Sequence, residues 1–145
     1  MRLLASTDIA LRVLILLARA PAGSHMSVEA LAAELGGLSR NNLHKIVQDL
    51  TSLGATRTVR GAGGGVLLAV TPESLRLGTL VRRLEADQAL VECCRTDGGA
   101  CTLMPACRLR VMLREAQNRF YEHLDTQTLA DCLPGASSDQ TKAPL

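Results

Sequence analysis

Aromatic side chains are almost missing from this sequence: tryptophan is absent, and 145 residues hold one tyrosine and one phenylalanine. Proteins that grip single-stranded nucleic acid stack bases on aromatic rings, so that mode of binding is nearly excluded. Long apolar runs are missing too. Asp8 and Arg12 interrupt the hydrophobic N-terminus, and the unbroken stretch left there, Val13 to Ala18, is six residues. That is shorter than the roughly 7 to 15 residues of a secretory signal core and far short of the roughly 20 of a membrane span. The chain is therefore expected in the cytoplasm, with no membrane partner, where thiols more often bind metal or stay free than pair. No C-x-x-C pair occurs among the five cysteines. The common redox motif and the usual knuckle of a structural zinc site are both lacking. Nor are the glycines at 61–65 followed by Gly-Lys-Ser/Thr, and they open a strand instead of a helix, which argues against a phosphate-binding loop.

What is present is a chain of one-domain size whose composition is 47% hydrophobic, so Leu, Val, Ala and Ile must fill its core. The net charge of +2 hides an asymmetry. Residues 1–83 carry ten Lys/Arg against five Asp/Glu, whereas residues 84–145 carry six against nine. The N-terminal half is the part suited to a polyanion.

Apolar positions Ile9, Val13, Leu16, Leu17 and Ala20 recur at helical spacing, which predicts a helix from Asp8 to Ala20 capped by Ser6 or Thr7. Ser27 can cap a second helix with Val28, Leu31, Ala32 and Leu35 on one face, stopped by Gly36-Gly37. Ser39 then caps a third, from about Arg40 to Leu53, whose stripe of Leu43, Ile46, Val47, Leu50 and Leu53 faces inward. Its other face carries Arg40, Asn41, Asn42, His44, Lys45 and Gln48, all able to donate hydrogen bonds to phosphates or base edges. Two short helices joined by a glycine turn, the second polar on its outer face, read as a helix-turn-helix. Beyond it, Thr56 to Arg60 and Val66 to Val70 are β-prone runs around the glycines, a hairpin with a flexible tip. Arg57 and Arg60, on its first strand, stand where a wing would cross the DNA backbone, and Gly63 and Gly64 at the tip join the DNA-contacting set.

After a capped turn at Thr71-Pro72-Glu73, a helix is expected from Leu77 to Leu84, then a cysteine-rich loop. A long helix follows, roughly Pro105 to Asp125, with one apolar stripe of Leu109, Leu113, Ala116, Phe120 and Leu124. So long a helix needs a partner for its stripe: either its own domain or, the favoured reading, a second subunit. The fold class is mainly α with a small β-hairpin wing: a winged helix-turn-helix over residues 1–84, a cluster-binding loop and dimerisation helix over 85–133, and a disordered tail over 134–145.

Cys93, Cys101 and Cys107 follow a C-x7-C-x5-C spacing around Gly98 and Gly99, with Cys94 adjacent and Cys132 distant. Three thiolates without a fourth soft donor nearby suit an iron-sulfur cluster completed by an oxygen or nitrogen ligand from elsewhere. The same cysteines also suit small buried hydrophobes, and Cys132, among Leu129, Ala130 and Leu133, reads as a core position.

Met1-Arg2-Leu3, Thr7-Asp8, Ala10-Leu11-Arg12-Val13-Leu14, Ser39-Arg40-Asn41 and Val59-Arg60-Gly61 with Gly63-Gly64-Gly65 resemble the Rrf-two winged-helix regulators. Within that family, Leu90-Val91-Glu92-Cys93, Cys101, Pro105-Ala106-Cys107-Arg108-Leu109, Glu115-Ala116 and Thr128-Leu129-Ala130-Asp131 are similar to its nitric-oxide-sensing branch. The likeness covers about residues 1–133. It implies a homodimeric repressor that binds an inverted-repeat operator in double-stranded DNA, holds a cluster of the 4Fe-4S type (2Fe-2S as the alternative), and leaves DNA on meeting nitric oxide. It further implies Cys93, Cys101 and Cys107 as ligands, with Asp8 of the partner subunit as the fourth. The chain departs from the pattern at Cys94, where an aromatic is usual, so the first ligand is Cys93 or Cys94. Ile9 stands for a usual tyrosine and Ala62 for a usual wing arginine.

Two other regulators fit the same pattern, a sensor of iron-sulfur status and a general redox sensor. Outside regulators stand a zinc-stabilised adaptor completed by His123 or Cys132, and a thiol enzyme using Cys93 or Cys94. No motif places a base for such an enzyme, since His25, His44 and His123 fall in a loop, on the DNA face and on the long helix. The expectation is a regulator without enzymatic activity.

Overall fold

A computed structural model describes residues 2–103 and 105–135; residues 136–145 of the expected tail lie outside the described residues. Of the stripe expected on α1 (Ala5–Arg19), Val13 and Leu17 are buried, whereas Ile9, Leu16 and Ala20 are half-buried; Ala10 and Leu14 complete the buried side, because the helix is turned slightly from the expected face. The helix begins three residues before the expected Asp8, with Leu4 at its N-cap and no side-chain cap. Thr7, expected as the cap, is buried inside the first turn, because its hydroxyl donates instead to Oε1 of the buried Glu85. The Leu4 N–H donates to the same oxygen at 3.0 Å.

Ser27 caps α2 (Val28–Glu34) as expected, its Oγ accepting from the Ala30 N–H at 3.0 Å. The turn through Gly36 and Gly37 leads to α3 (Arg40–Ser52), which buries Leu43, Ile46, Val47 and Leu50; Ser39 holds its N-cap position without a side-chain bond, and Leu53 closes it half-buried. Antiparallel strands β1 (Thr56–Val59) and β2 (Gly65–Leu68) form the wing, with Thr56 opposite Leu68 and Val59 opposite Gly65. Arg60, expected on the first strand, lies one residue past β1 in the loop. The strand ends there because the glycine-rich connection takes over. Reciprocal backbone bonds between Met26 and Val66, 2.9 and 2.8 Å, fasten the wing to the segment before α2.

Two helices complete the fold, α4 (Leu77–Leu84), at its expected bounds, and α5 (Arg108–Leu124), slightly shorter than expected. α4 has no side-chain cap of its own. The Asp125 carboxylate supplies one from the end of α5, accepting from the Thr79 N–H through Oδ1 and from the Thr79 hydroxyl through Oδ2, the latter at 3.1 Å. The chain then returns along α4: Leu77 N–H donates to Gln127 O at 3.1 Å, and Leu129 N–H to Leu75 O at 3.0 Å. Leu129 is thereby fully buried in the same core as Leu14, Leu31, Leu43 and Leu50. Cys132 was expected at such a position and is exposed, because Leu129 takes the core site and the chain leaves the interior after it. The expected stripe of α5 divides. Leu113 and Leu124 are half-buried, whereas Leu109 is 58% and Phe120 37% exposed, with Met112, outside the expected stripe, at 57%. Among the described residues no helix is long and apolar enough to cross a membrane.

α4 and α5 can approach this closely because residue 78 is glycine. A Cβ there would overlap the Tyr121 carbonyl oxygen and stand 2.7 Å from the Asp125 nitrogen, and both obstacles are backbone. Gly78→Ala should therefore destabilise the chain by about 1–3 kcal/mol, the range for overpacking a filled interior. Urea unfolding would measure it, and an unchanged midpoint would refute this account of the contact.

Candidate DNA interface and cysteine loop

The buried stripe of α3 leaves Arg40, Asn41, Asn42, His44, Lys45 and Gln48 exposed, with Ser39 exposed just ahead of them. Arg57, Arg60 and Gly63 on the wing are also exposed, and Gly64 is half-buried. Between α3 and the wing runs a cleft of about 510 Å³ lined by residues including Glu29, His44, Gln48, Thr58 and Gly63. Two residues of this surface escaped the sequence reading. His25 closes the wing tip, its Nε2 standing 2.6 Å from the Gly63 carbonyl oxygen. Glu29 on α2 accepts a hydrogen bond from the Arg40 guanidinium at 2.9 Å. A backbone N–H at the start of α2 holds the Glu29 carboxyl below its ordinary range, helped by the Arg40 guanidinium. Ser27 three positions before Ala30 marked the start of α2, but nothing in the spacing paired Glu29 with Arg40 across the turn.

Cys93, Cys94, Cys101 and Cys107 lie on a loop braced by its own charges. Arg95 is held by Asp97 through contacts of 3.0 and 2.6 Å and by Glu92 at 3.8 Å. Glu92 Oε1 also accepts from the Ala100 N–H at 3.2 Å. Gly99, at φ +57°, packs directly on Glu92, where a Cβ would overlap the Glu92 carbonyl oxygen. Cys93 is buried, Cys94, Cys101 and Cys107 are half-buried, and Cys107 is the N-cap of α5. Burial pushes the Cys93 thiol above its ordinary pKa, and charge on Cys101, Cys94 and Cys107 pushes it the same way. Cys93, Cys101 and Cys107 thus lie on one loop and the start of the helix that follows it, which supplies three soft donors from a single stretch of chain. Among the described residues of one chain, no group of three or more His, Cys, Asp or Glu closes around the position of a single metal ion. The donor set fits an iron-sulfur group in chemistry, and its remaining ligand would have to come from outside the loop. Asp8, in the first turn of α1, is exposed and faces Arg12 through contacts of 3.1 and 2.9 Å.

A family model described as Rrf2, iron-dependent transcriptional regulator, matches residues 3–134. The chain belongs to the Rrf2 family. Among relatives of this Rrf2 chain, the HTH-type transcriptional regulator NsrR of Geobacillus kaustophilus (strain HTA426) is 40% identical, covering 95% of this chain and 93% of its own. The HTH-type transcriptional regulator NsrR of Bacillus subtilis (strain 168) is 38% identical, covering 90% and 89%. The solved structure of T. potens IscR, at 24% identity, superposes with a TM-score of 0.71 over 99% of this chain and 94% of that one, and shows the fold alone. The winged-helix expectation is borne out, and this Rrf2 protein is a DNA-binding transcriptional regulator, not an enzyme.

Proposed function

We propose that this Rrf2 chain is a homodimeric repressor that reads an inverted-repeat operator, holds an iron-sulfur cluster and releases DNA in response to nitric oxide. The observation that carries this reading is the buried Cys93 and the half-buried Cys101 and Cys107 on the one loop that leads into α5. The far end of the same helix caps α4 of the winged-helix unit. Cys93, deeper than Cys94, is the first ligand, Cys101 and Cys107 the next two, and Asp8 of the partner subunit the fourth. The 4Fe-4S type matches this set, with 2Fe-2S as the alternative. When bound, such a cluster supplies iron that takes up nitric oxide, and a carboxylate is the donor least matched to it.

The protein's own residues then relay the change. Asp8 would hold the cluster as a carboxylate ligand, and Arg12 one turn along α1 offers the same carboxylate an ion pair. The turn that carries Asp8 is held to the end of α4 through Thr7, Leu4 and Glu85, so displacement of Asp8 bears on the helix that supports α5. Moving a population from almost fully bound to almost fully free needs about 5.5 kcal/mol of difference in DNA binding. Gel-shift titration of anaerobic holo-protein, apo-protein and Cys101→Ala, each with and without nitric oxide, tests this. Only the holo-protein should bind tightly, and only it should respond; equal affinities throughout would defeat the mechanism.

On DNA, α3 enters the major groove with Arg40, Asn41, Asn42, His44, Lys45 and Gln48 towards base edges and Ser39 at its start. Arg57, Arg60, Gly63 and Gly64 meet the backbone beside it. Two such helices reading half-sites about 34 Å apart match one turn of duplex. Alanine at Arg40, Asn42 and Lys45 together should abolish sequence preference. Arg60→Ala should weaken all duplexes alike and lower the salt slope by roughly one. Unchanged operator affinity in the triple variant would remove α3 as the reader.

The dimer contact is assigned to the exposed face of α5 that carries Leu109, Met112 and Phe120. Asp at both Leu109 and Phe120 would bury charge in that contact. Light scattering should then report a folded monomer, and a persisting dimer would place the interface elsewhere.

A further inference from the structure

Glu29 is an acid in an unfavourable place. It lies in the half of the chain with five acids against ten bases, and it lines the cleft between α3 and the wing. Duplex phosphates must pass close to that cleft if α3 is the reading helix, and a carboxylate beside them is repelled. The ion pair with Arg40 is exposed on both sides, 67% and 59%, so it contributes little to folding. Its geometry nevertheless acts on the reading surface. The guanidinium is a rigid planar fork of five N–H donors. One of its terminal nitrogens, Nη1, is engaged by Glu29 at 2.9 Å.

We propose that Glu29 is a specificity-determining residue of the DNA site. It holds one edge of the Arg40 fork against α2, so that the other edge is presented in a fixed plane to a base. Its charge disfavours any duplex that does not meet that edge. An arginine so oriented makes a bidentate contact to guanine, whereas a free arginine settles on phosphates of any sequence. This inference rests on α3 as the reading helix.

The test uses the full-length dimer with two probes: the duplex that the wild-type protein recovers from a random-sequence library, and a shuffled duplex of equal length. Glu29→Gln should bind the shuffled duplex at least fivefold more tightly, with a salt dependence steeper by roughly one unit. Binding to the recovered duplex should stay within about twofold, so discrimination falls about fivefold. In an Arg40→Ala background the same substitution should shift both duplexes alike. Glu29→Asp keeps the charge but withdraws it from Arg40, and should lose discrimination by weakening the recovered duplex. Unchanged urea midpoints in both variants separate these effects from folding. Discrimination that is unaltered in Glu29→Gln, or that falls equally without Arg40, overturns the inference. Should the triple variant at Arg40, Asn42 and Lys45 still bind the recovered duplex as wild type does, α3 is not the reader and the inference falls with it; loss of binding there with no effect of Glu29→Gln overturns the Glu29 role alone.

Discussion

The contact between α4 and α5 at Gly78 is the constraint on which the rest of the molecule depends. Without a side chain at that position the end of α5 lies directly on the α4 backbone, and Asp125 caps the helix it touches. A cap supplied from another element ties local helix stability to tertiary packing, since neither forms fully without the other. The returning segment follows from it: once Asp125 is in place, the chain can pair with residues 75–77 and deliver Leu129 to the core. The loop with the cysteines, joined to the start of α5, is anchored to the winged helix by the same contact.

Glu85 makes a second connection at the opposite end of α4. A buried carboxylate is tolerated when hydrogen bonds replace its water, and here the Leu4 N–H and the Thr7 hydroxyl do so. Since Thr7 and Asp8 are neighbours on α1, the exposed acid inherits its position from the buried one. α1, α4 and α5 are therefore joined in series, through Glu85 at one end of α4 and Asp125 at the other.

The exposed surface of α3 and the wing is set by a few connections outside the regular elements. Met26 joins the wing as an extra rung, His25 holds its tip, and Glu29 holds Arg40. All three precede or begin α2. The wing and the start of α3 are thus each tied to α2 and its preceding loop, while Asn41, Asn42, Lys45 and Gln48 stay exposed.

Much of this was legible in the sequence because burial repeats locally. The stripes of α1, α2 and α3, the bounds of α4, the hairpin around the glycines and the helix after the third cysteine all follow from apolar spacing, capping residues and turn chemistry within a few residues. Exposure of the polar face of α3 follows from the same periodicity, since a helix that buries Leu43, Ile46, Val47 and Leu50 must turn Arg40, Asn42 and Lys45 outward. Other features are choices between partners far apart in the chain, and only the tertiary structure decided them. Thr7 could cap its own helix or satisfy a carboxylate 78 positions away, and burial of Glu85 settles it. Either Leu129 or Cys132 could enter the core, and the pairing of Leu129 with Leu75 selects the former. A periodic stripe on α5 says that the helix has an apolar side, but packing against α4 determines which part of it stays exposed. Spacing reports that a side chain needs a partner; the partner's identity comes from the folded chain, because hydrogen bonds and close contacts act over a few ångströms of space regardless of separation in sequence.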